Sequence, residues 1–325
     1  MHGLKLLSAG VVIAFASTVV AQTQSLLVLN KEGSVAIVDP VTQKVLGRAP
    51  TGEGPHEVVA TSDGKIAVAS NYGSGQMPGH TLSVIDIASR KEIHRIDLAP
   101  LLRPHGLFSV DGKVYFTAEG SKAIGRYDPA ANRVDWLLGT GQDGTHMVAV
   151  SKDHNMIFTS NIGSGTISIF QRAGADDWRQ TVVRVGAGAE GFDVSPDGKE
   201  LWAANAGDGT VSIVDIGGKK VVQTFPVDVK RSNRLKFTPD GRRVLISDLT
   251  NGSLVVVDVA SRKEVKRLPL GRSVAGVLVA PDGSHAYVAA TNDNYVAVVD
   301  LKTMEVTGHI STGNGPDGMD WIASR

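Results

Sequence analysis

A short run of alternating apolar residues recurs seven times along the chain, and six of the seven copies end in aspartate. The final residues of the runs are Asp39, Asp86, Asp128, Gln171, Asp215, Asp258 and Asp300, at spacings of 47, 42, 43, 44, 43 and 42 residues. The aspartates are interpreted as acceptors for backbone N–H groups in the turns that follow. A period of this size indicates a repeat architecture, in which each unit buries its apolar faces against its neighbours.

One copy can be divided completely into strands and turns. GFDVSPDG (191–198) is a strand with an Asp-Gly turn, and KELWAANAGDG (199–209) is a strand with a polar glycine loop. TVSIVDIGGKK (210–220) is a third strand with a turn, and VVQTFPV (221–227) is an outer strand. Four strands in about 43 residues is the spacing of a propeller blade. The sequence therefore predicts an all-β fold, a seven-bladed β-propeller of four-stranded blades.

The two ends of the repeat array complement each other. Residues 25–50 supply three strands but lack an innermost one, whereas NGPDGMDWIA (314–323) supplies an innermost strand with no blade after it. We expect the C-terminal strand to complete the first blade and close the ring, because closure hides strand edges that would template aggregation. Residues 22–325 are thus predicted to form a single propeller domain, which we expect to be monomeric.

The first 21 residues have the pattern of a signal peptide. A basic residue precedes an apolar stretch that ends in Val19-Val20-Ala21, which offers small residues for cleavage before Gln22. An uncleaved anchor is the alternative, although the apolar stretch is short for a full membrane span. We expect a periplasmic or secreted protein with no membrane span in the mature chain. The chain has no cysteine, so disulfides and lipid attachment to cysteine are excluded.

Composition excludes several other classes of function. The chain has 33 basic and 33 acidic residues and no basic run, which argues against nucleic acid as the main partner. There is no C-x-x-C-H motif for haem attachment and no G-x-S-x-G nucleophile motif. The glycines of SNIGSGT (160–166) lie between two strands rather than before a helix, so a nucleotide phosphate loop is not expected.

Two of the repeats resemble a known family. YVAATNDNYVAVVDLKTMEV (287–306) and LWAANAGDGTVSIVDIGGKKVV (201–222) are similar to the YVTN β-propeller repeat, and the similarity extends over essentially all of residues 25–323. The resemblance implies a secreted or surface-layer type of protein. Related propellers include lactone hydrolases, streptogramin-type lyases and haem or copper redox domains. The repeat itself carries no catalytic signature, so a site must be argued from position in the fold.

Three histidines occupy one repeat position at the start of consecutive blades. The first strand of a propeller blade lines the central channel, and loops at one face of the ring typically carry function. Counting back from the Asp-Gly turns places one residue of each blade around one mouth of the channel. In ring order these residues are Asp317, His56, His105, His146, Glu190, Asn233 and Ala275.

Imidazole and carboxylate groups at a common point favour a metal site. We predict that His56, His105, His146 and Glu190 bind a divalent transition metal such as Zn, Cu, Mn or Fe. Open coordination positions would suit a catalytic ion, which lowers the pKa of bound water. Glu190 or Asp317 would then serve as the catalytic base. This arrangement suits hydrolysis of a lactone or ester, or a metal-assisted elimination.

Further polar residues are predicted beside this ring. Candidate ligand-binding residues are Arg103, Arg231, Arg234, Arg272, Asn233 and His80, the last in the glycine-rich loop YGSGQMPGHT (72–81). An arginine could bind a substrate carboxylate in a bidentate manner. The alternatives are solvated surface charges, a polar plug in the channel, and a metal-free pocket. A non-catalytic propeller that binds a small molecule, a cell-envelope component or a protein is therefore the alternative function.

Overall fold

A computed structural model describes residues 24–175 and 177–322. They form seven antiparallel sheets of four strands each, arranged in a ring. The predicted seven-bladed β-propeller is therefore confirmed. The predicted signal peptide, residues 1–21, lies outside the described residues. Within the described ranges, no helix is long and apolar enough to cross a membrane.

The strands are short and evenly spaced. In the first four blades they are β1 (Ser25–Asn30), β2 (Ser34–Asp39), β3 (Lys44–Pro50), β4 (Pro55–Ala60), β5 (Ile66–Gly73), β6 (Pro78–Asp86), β7 (Lys91–Asp97), β8 (Pro104–Val110), β9 (Lys113–Ala118), β10 (Ala123–Asp128), β11 (Arg133–Gly139), β12 (Thr145–Val150), β13 (Met156–Asn161), β14 (Thr166–Arg172) and β15 (Trp178–Arg184).

The remaining strands are β16 (Ala189–Val194), β17 (Glu200–Asn205), β18 (Thr210–Asp215), β19 (Lys220–Pro226), β20 (Ser232–Phe237), β21 (Arg243–Asp248), β22 (Ser253–Asp258), β23 (Lys263–Pro269), β24 (Val274–Val279), β25 (His285–Ala290), β26 (Tyr295–Asp300), β27 (Glu305–Ile310) and β28 (Pro316–Ile322). Two short 3₁₀ turns, Glu119–Ser121 and Thr291–Asp293, connect second to third strands.

The C-terminal strand closes the ring as predicted. The sheet of the first blade has the order β28-β1-β2-β3, so β28 is its innermost strand. Strands β28 and β1 pair antiparallel, with Leu26 opposite Trp321 and Val28 opposite Met319. Closure thus gives every blade its innermost strand from the chain segment that the repeat pattern indicates.

Alternating side chains of the middle strands fill the space between adjacent blades. Trp202 is fully buried on β17 and contacts Phe225 and Phe237 edge-to-face, with ring centroids 5.6 and 5.4 Å away. The strand-ending aspartates accept hydrogen bonds in turns as predicted: Asp258 Oδ1, for example, accepts from the Ser261 N–H at 2.8 Å. The core and turns are therefore accounted for by the repeat, which leaves the channel side chains free to vary.

Every innermost strand carries a one-residue β-bulge near its start. In β4, Pro55 is opposite Asn71 and the next paired residue, Val58, is opposite Ala69. The inner strand β4 therefore advances by three residues while β5 advances by two. The same shift occurs in β8, β12, β16, β20, β24 and β28. A bulge breaks the simple alternation of side chains along a strand. The second and third residues of an innermost strand can therefore both reach the channel.

Candidate functional site at the top mouth of the channel

The ring of side chains predicted to surround one mouth occupies equivalent positions in the structure. Each is the second residue of an innermost strand. The set is His56, His105, His146, Glu190, Asn233, Ala275 and Asp317, and we call it the top mouth. The bulge and the strand register, repeated in every blade, set this position. Blade rotation therefore brings residues distant in sequence to one end of the channel.

The three histidines form a continuous row, which we call the histidine row. The Nδ1 atom of His56 lies 3.2 Å from the Nε2 atom of His105. The ring centroids of His105 and His146 are 3.8 Å apart with the planes inclined by 34°. His105 and His146 are buried, whereas the His56 side chain is 24% exposed. The row therefore runs from a solvent-accessible imidazole to two enclosed ones.

A carboxylate orients the innermost imidazole of the row. His146 Nδ1 lies 2.7 Å from Glu119 Oε2, and the Tyr72 hydroxyl donates to Glu119 Oε1 at 2.7 Å. With Nδ1 directed at Glu119, the Nε2 atom of His146 is on the side of Glu190 and the mouth. Carboxylates that bind the far nitrogen of a ligating histidine fix its ring orientation and raise its basicity in metal sites. The Tyr72–Glu119–His146 chain is such an orienting arrangement.

The two carboxylates of the top mouth have different partners. Asp317 Oδ2 lies 3.0 Å from Lys31 Nζ and 3.7 Å from His56 Nδ1. Glu190 Oε1 accepts from Asn233 Nδ2 at 2.5 Å and lies 4.0 Å from His146 Nε2. The histidine row is therefore flanked by a carboxylate at each end, of which Asp317 is held by a cation and Glu190 by a neutral amide.

Several buried polar atoms of the top mouth have no hydrogen-bond partner among the described residues. They are His105 Nδ1, His146 Nε2, Asn233 Oδ1 and Asp317 Oδ1. Buried polar atoms are usually satisfied, so four such atoms in one ring indicate a place built for a ligand or ordered water. In the described ranges no three His, Asp or Glu side chains are already arranged as a metal site. Metal binding would thus require side-chain rotation.

Burial lowers the pKa of two imidazoles in the row, His56 and His105. It lowers the pKa of His56 to about 4, although the Asp317 carboxylate acts in the opposite direction. Burial, reinforced by the charges of His146 and His56, lowers the pKa of His105 well below its usual range. The pKa of Asp317 is lowered despite burial, because Lys31 and Arg234 stabilise its charge. At neutral pH the mouth therefore offers the uncharged imidazoles of His56 and His105 beside the ionised carboxylate of Asp317.

Hydroxyl groups on second strands hold the histidine row in place. Each donates to the backbone carbonyl of a top-mouth residue in the next blade. The bonds are Ser70 Oγ to His105 O (2.7 Å), Thr117 Oγ1 to His146 O (2.7 Å) and Ser160 Oγ to Glu190 O (2.6 Å). The corresponding residues of blades five and seven are Ala204 and Ala289, which have no hydroxyl. These bonds therefore connect blades two to five at this level, whereas Leu29, the corresponding residue of blade one, has no hydroxyl to bond the His56 carbonyl.

An ion pair crosses the channel directly below the top mouth. Glu57 and Arg234 are the third residues of β4 and β20, and their buried side chains form a salt bridge that we call the floor pair. Four other blades have glycine at this position: Gly106, Gly191, Gly276 and Gly318. A Cβ atom on Gly106 or Gly191 would overlap the backbone of the neighbouring inner strand. Glycine thus permits close strands, which leaves the channel at this level to the floor pair and to Met147, the third residue of β12.

Below the floor pair the channel opens into a second cavity at the bottom mouth. It has a volume of about 270 Å³, and its lining includes Phe108, Lys236, Leu278 and Asp320. Asp320 accepts from the Ala60 N–H at 2.8 Å, and Asp193 accepts from the Phe237 N–H at 2.9 Å. These two aspartates therefore join adjacent inner strands. Burial raises the pKa of Asp320 to about 6.

The predicted arginines and His80 have separate environments. Arg234 belongs to the floor pair, whereas Arg272 is exposed and pairs with Asp293 at 2.6 Å. His80 is exposed and its Nδ1 lies 2.9 Å from Asp97 Oδ1. The structure therefore places Arg234 below the histidine row and gives Arg272 and His80 acidic partners of their own.

Two predicted arginines directly precede inner strands. Arg231 is exposed before β20, and its N–H donates to Asp248 Oδ1 at 3.2 Å. The Arg103 guanidinium lies 4.9 Å from the centre of the Tyr72 ring, which itself contacts His56. Of the predicted arginines, Arg103 is therefore the one that lies beside the histidine row, through its contact with Tyr72.

Sequence reasoning missed Glu57, Lys31, Tyr72 and Glu119. The last three share one repeat position. Each directly follows the second-strand residue that pairs with the first residue of the inner strand. The same position in blades four to six holds Ile162, Ala206 and Leu249. Aligning this second position, which is Thr291 in blade seven, would have shown ionisable side chains confined to blades one to three. Glu57 required knowledge of the bulge, which has no signature in the sequence.

A family comparison agrees with this architecture. The sequence profile of the YNCE-like beta-propeller family matches residues 109–284, which is more than half of the chain. The chain belongs to the YNCE-like beta-propeller family. The match does not confirm the narrower resemblance of this YNCE-like propeller to the YVTN repeat. No curated protein sequence matches the chain.

Solved structures resemble this YNCE-like propeller over nearly its whole length. Hydrazine synthase from Kuenenia stuttgartiensis is 20% identical with a TM-score of 0.74, covering 90% of this chain and 99% of that chain. A Bacteroides uniformis protein assigned provisionally as a 6-phosphogluconolactonase is 16% identical (TM-score 0.75; 93% and 100% covered). A Desulfotomaculum acetoxidans protein of unknown function is 12% identical (TM-score 0.77; 93% and 99% covered). At these identities the similarity concerns the fold.

Proposed function

We propose that the top mouth binds one divalent transition-metal ion through His56, His105 and His146, with Glu190 or Asp317 as a further ligand. The observation that carries the proposal is the histidine row, in which His105 Nδ1 and His146 Nε2 have no partner among the described residues. Neutral imidazole nitrogen is a preferred ligand of zinc and copper. Glu119 supports the same proposal, because it holds His146 with Nε2 towards the mouth.

The chemistry we propose for this site is hydrolysis of a lactone or ester, with a metal-assisted elimination as the related possibility. An ion held there would supply a Lewis acid and lower the pKa of a bound water molecule. Of the two candidate bases, Glu190 is the better placed, since its Oε1 lies 4.0 Å from His146 Nε2 and is held only by Asn233. Asp317 is paired with Lys31, and its lowered pKa makes it the weaker proton acceptor. The lactonase-like neighbour supports this reaction class.

A metal-free binding site is the second candidate. The observation that favours it is the 3.2 Å contact between His56 and His105, in which one ring nitrogen donates to the other. In this form the row would present a polar surface to a small molecule or a cell-envelope component. The proposed location is periplasmic or secreted, which is based on the leader pattern of residues 1–21 alone.

Metal analysis separates the two candidates. Protein purified without a histidine tag and without added metal should contain about one equivalent of a transition metal, and calorimetric titration with Zn, Cu, Mn and Ni should show one site. His105 is central in the row, so His105→Ala should lose about a hundredfold in affinity, while His285→Ala should bind like the parent. Affinity should fall as the pH approaches 4, the pKa of His56, because the ligands must be deprotonated. Binding no tighter than about 0.1 mM, or an unaffected His105→Ala variant, would leave only the metal-free site.

A further inference from the structure

Arg103 has a backbone conformation that its repeat position otherwise gives mainly to glycine. It directly precedes β8 and has a φ of 56°. The corresponding residues of four other blades are Gly54, Gly144, Gly188 and Gly315, with φ between 54° and 69°. A side chain in this left-handed region is strained by about 1 kcal/mol or more, so such residues occur where something offsets the strain. At this repeat position, Ser273 is the other residue with a side chain in this conformation, at a φ of 59°.

Two backbone hydrogen bonds fix Arg103 at the rim of the top mouth. Its N–H donates to the Gly79 carbonyl at 2.7 Å, and its carbonyl accepts from the Glu119 N–H at 2.9 Å. The first bond ties it to the start of β6 in blade two, and the second ties it to the turn that orients His146. Arg103 is therefore positioned by the same segments that build the site.

The Arg103 side chain lies over an aromatic ring of the site. Its guanidinium carbon is 4.9 Å from the centre of Tyr72, and the Tyr72 ring is 4.7 Å from the His56 ring. The guanidinium also interacts with the Tyr72 hydroxyl, and the five N–H donors of arginine leave others available for a ligand. Within the described residues, no carboxylate forms an ion pair with Arg103. By contrast, Lys31 is paired with Asp317.

We infer that Arg103 binds the oxyanion group, a carboxylate or a phosphoryl group, of a small ligand whose other end lies against the histidine row. The planar fork of arginine matches either group with two parallel hydrogen bonds. The inference rests on the proposed function, since it assigns the class of ligand to the same mouth. It also explains why one blade keeps a strained arginine at a position suited to glycine.

Replacing Arg103 with glycine gives a sharp test, because glycine suits the backbone and removes only the side chain. The matched control is Ser273→Gly, which makes the same backbone change on a different blade. Both variants should melt at or above the parent temperature. Calorimetric titration of metal-free and zinc-loaded protein would use glutarate as the carboxylate probe, glycerol 3-phosphate as the phosphoryl probe, and glutaramide as the uncharged analogue.

We expect glutarate or glycerol 3-phosphate to bind the parent and Ser273→Gly equally, and Arg103→Gly about ten- to a hundredfold more weakly. Arg103→Lys should be intermediate, because lysine keeps the charge without the fork. The inference is overturned if Arg103→Gly binds as the parent does, if glutaramide binds as well as glutarate, or if neither anion binds the parent. Zinc titration of Arg103→Gly tests the metal proposal separately, because this variant should keep the parent's zinc affinity.

Discussion

The top and bottom mouths of the channel are built from the same seven inner strands, but their polar groups are used differently. At the bottom mouth Asp193 and Asp320 accept hydrogen bonds from backbone N–H groups of the next strand. At the top mouth four buried polar atoms lack a partner among the described residues. The bottom cavity contains one such atom, the hydroxyl oxygen of Ser109. Two aspartates at the bottom mouth thus join adjacent blades, whereas polar atoms at the top mouth are left available for a ligand.

The first prediction concerns the C-terminal strand β28, which contributes a residue to each mouth. Deleting residues 314–325 takes away β28, and with it Asp317 and Asp320. Strand β1 and the neighbouring inner strands would lose their partner, so we expect aggregation or failure to fold. Size-exclusion chromatography and thermal melting measure the effect. Deleting only residues 323–325 leaves β28 whole and serves as control; a soluble, normally melting long deletion would contradict the closure account.

The second prediction concerns the floor pair that separates the mouths. Arg234→Met leaves the buried Glu57 carboxylate without its cation, which should destabilise the protein by about 3–5 kcal/mol. The double variant Glu57→Met/Arg234→Met should recover most of this loss, because apolar pairs often replace buried ion pairs at little cost. Arg272→Met, at an exposed arginine, should change stability by less than about 0.5 kcal/mol. Chemical unfolding measures these free energies. Equal losses of stability in the single and double variants would show that Glu57 and Arg234 do not stabilise each other as a pair.

The third prediction separates the mouths by pH in the metal-free protein. His56 has a lowered pKa of about 4, so its contribution to stability is present above pH 6.5 and is lost as the pH falls towards 4. Asp320 has a raised pKa of about 6, so its contribution is present below about pH 3.8 and is lost as the pH rises through 6.

Single substitutions should therefore tilt the pH dependence in opposite directions. Relative to the parent, His56→Gln should lose less stability between pH 7 and pH 4.5, and Asp320→Asn should lose more, each by about 2 kcal/mol. The charged groups near His56 are Lys31, Arg234 and Asp317, and those near Asp320 are Lys236 and Glu57. Neither substitution changes any of these residues. Thermal melting at a series of pH values measures the change. If stability depended on pH equally in all three proteins, the altered pKa values of His56 and Asp320 would be contradicted.

The fourth prediction compares two histidine–carboxylate contacts of similar length. Glu119 contacts the buried His146 at 2.7 Å, and Asp97 contacts the exposed His80 at 2.9 Å. Glu119→Ala should weaken zinc binding by about ten- to a hundredfold, because a ligating imidazole loses its orienting partner. Asp97→Ala should leave zinc affinity unchanged. Calorimetric titration measures both, and equal affinities would mean that Glu119 has no role in the site.

The fold could be predicted from the sequence because the same four-strand pattern recurs in every blade. The ring from His56 to Asp317 could be predicted for the same reason, since residues at one repeat position share one place around the axis. Glu57 could not, because the bulge that turns it into the channel depends on backbone geometry rather than composition. The orienting role of Glu119 depends on a side-chain distance across two blades, which no repeat count supplies.

A zinc-soaked crystal, with anomalous diffraction measured at the zinc edge, tests the central claim most directly. If the histidine row is a metal site, we expect one strong peak in the top mouth. It should mark a zinc ion bonded to nitrogens of His56, His105 and His146 at about 2.0–2.1 Å, with Glu190 or Asp317 nearby. We expect no comparable peak at Asp193 or Asp320 in the bottom mouth. A peak bonded to fewer than two of the three histidines, or no peak in the top mouth, would contradict the claim that the histidine row is a metal site.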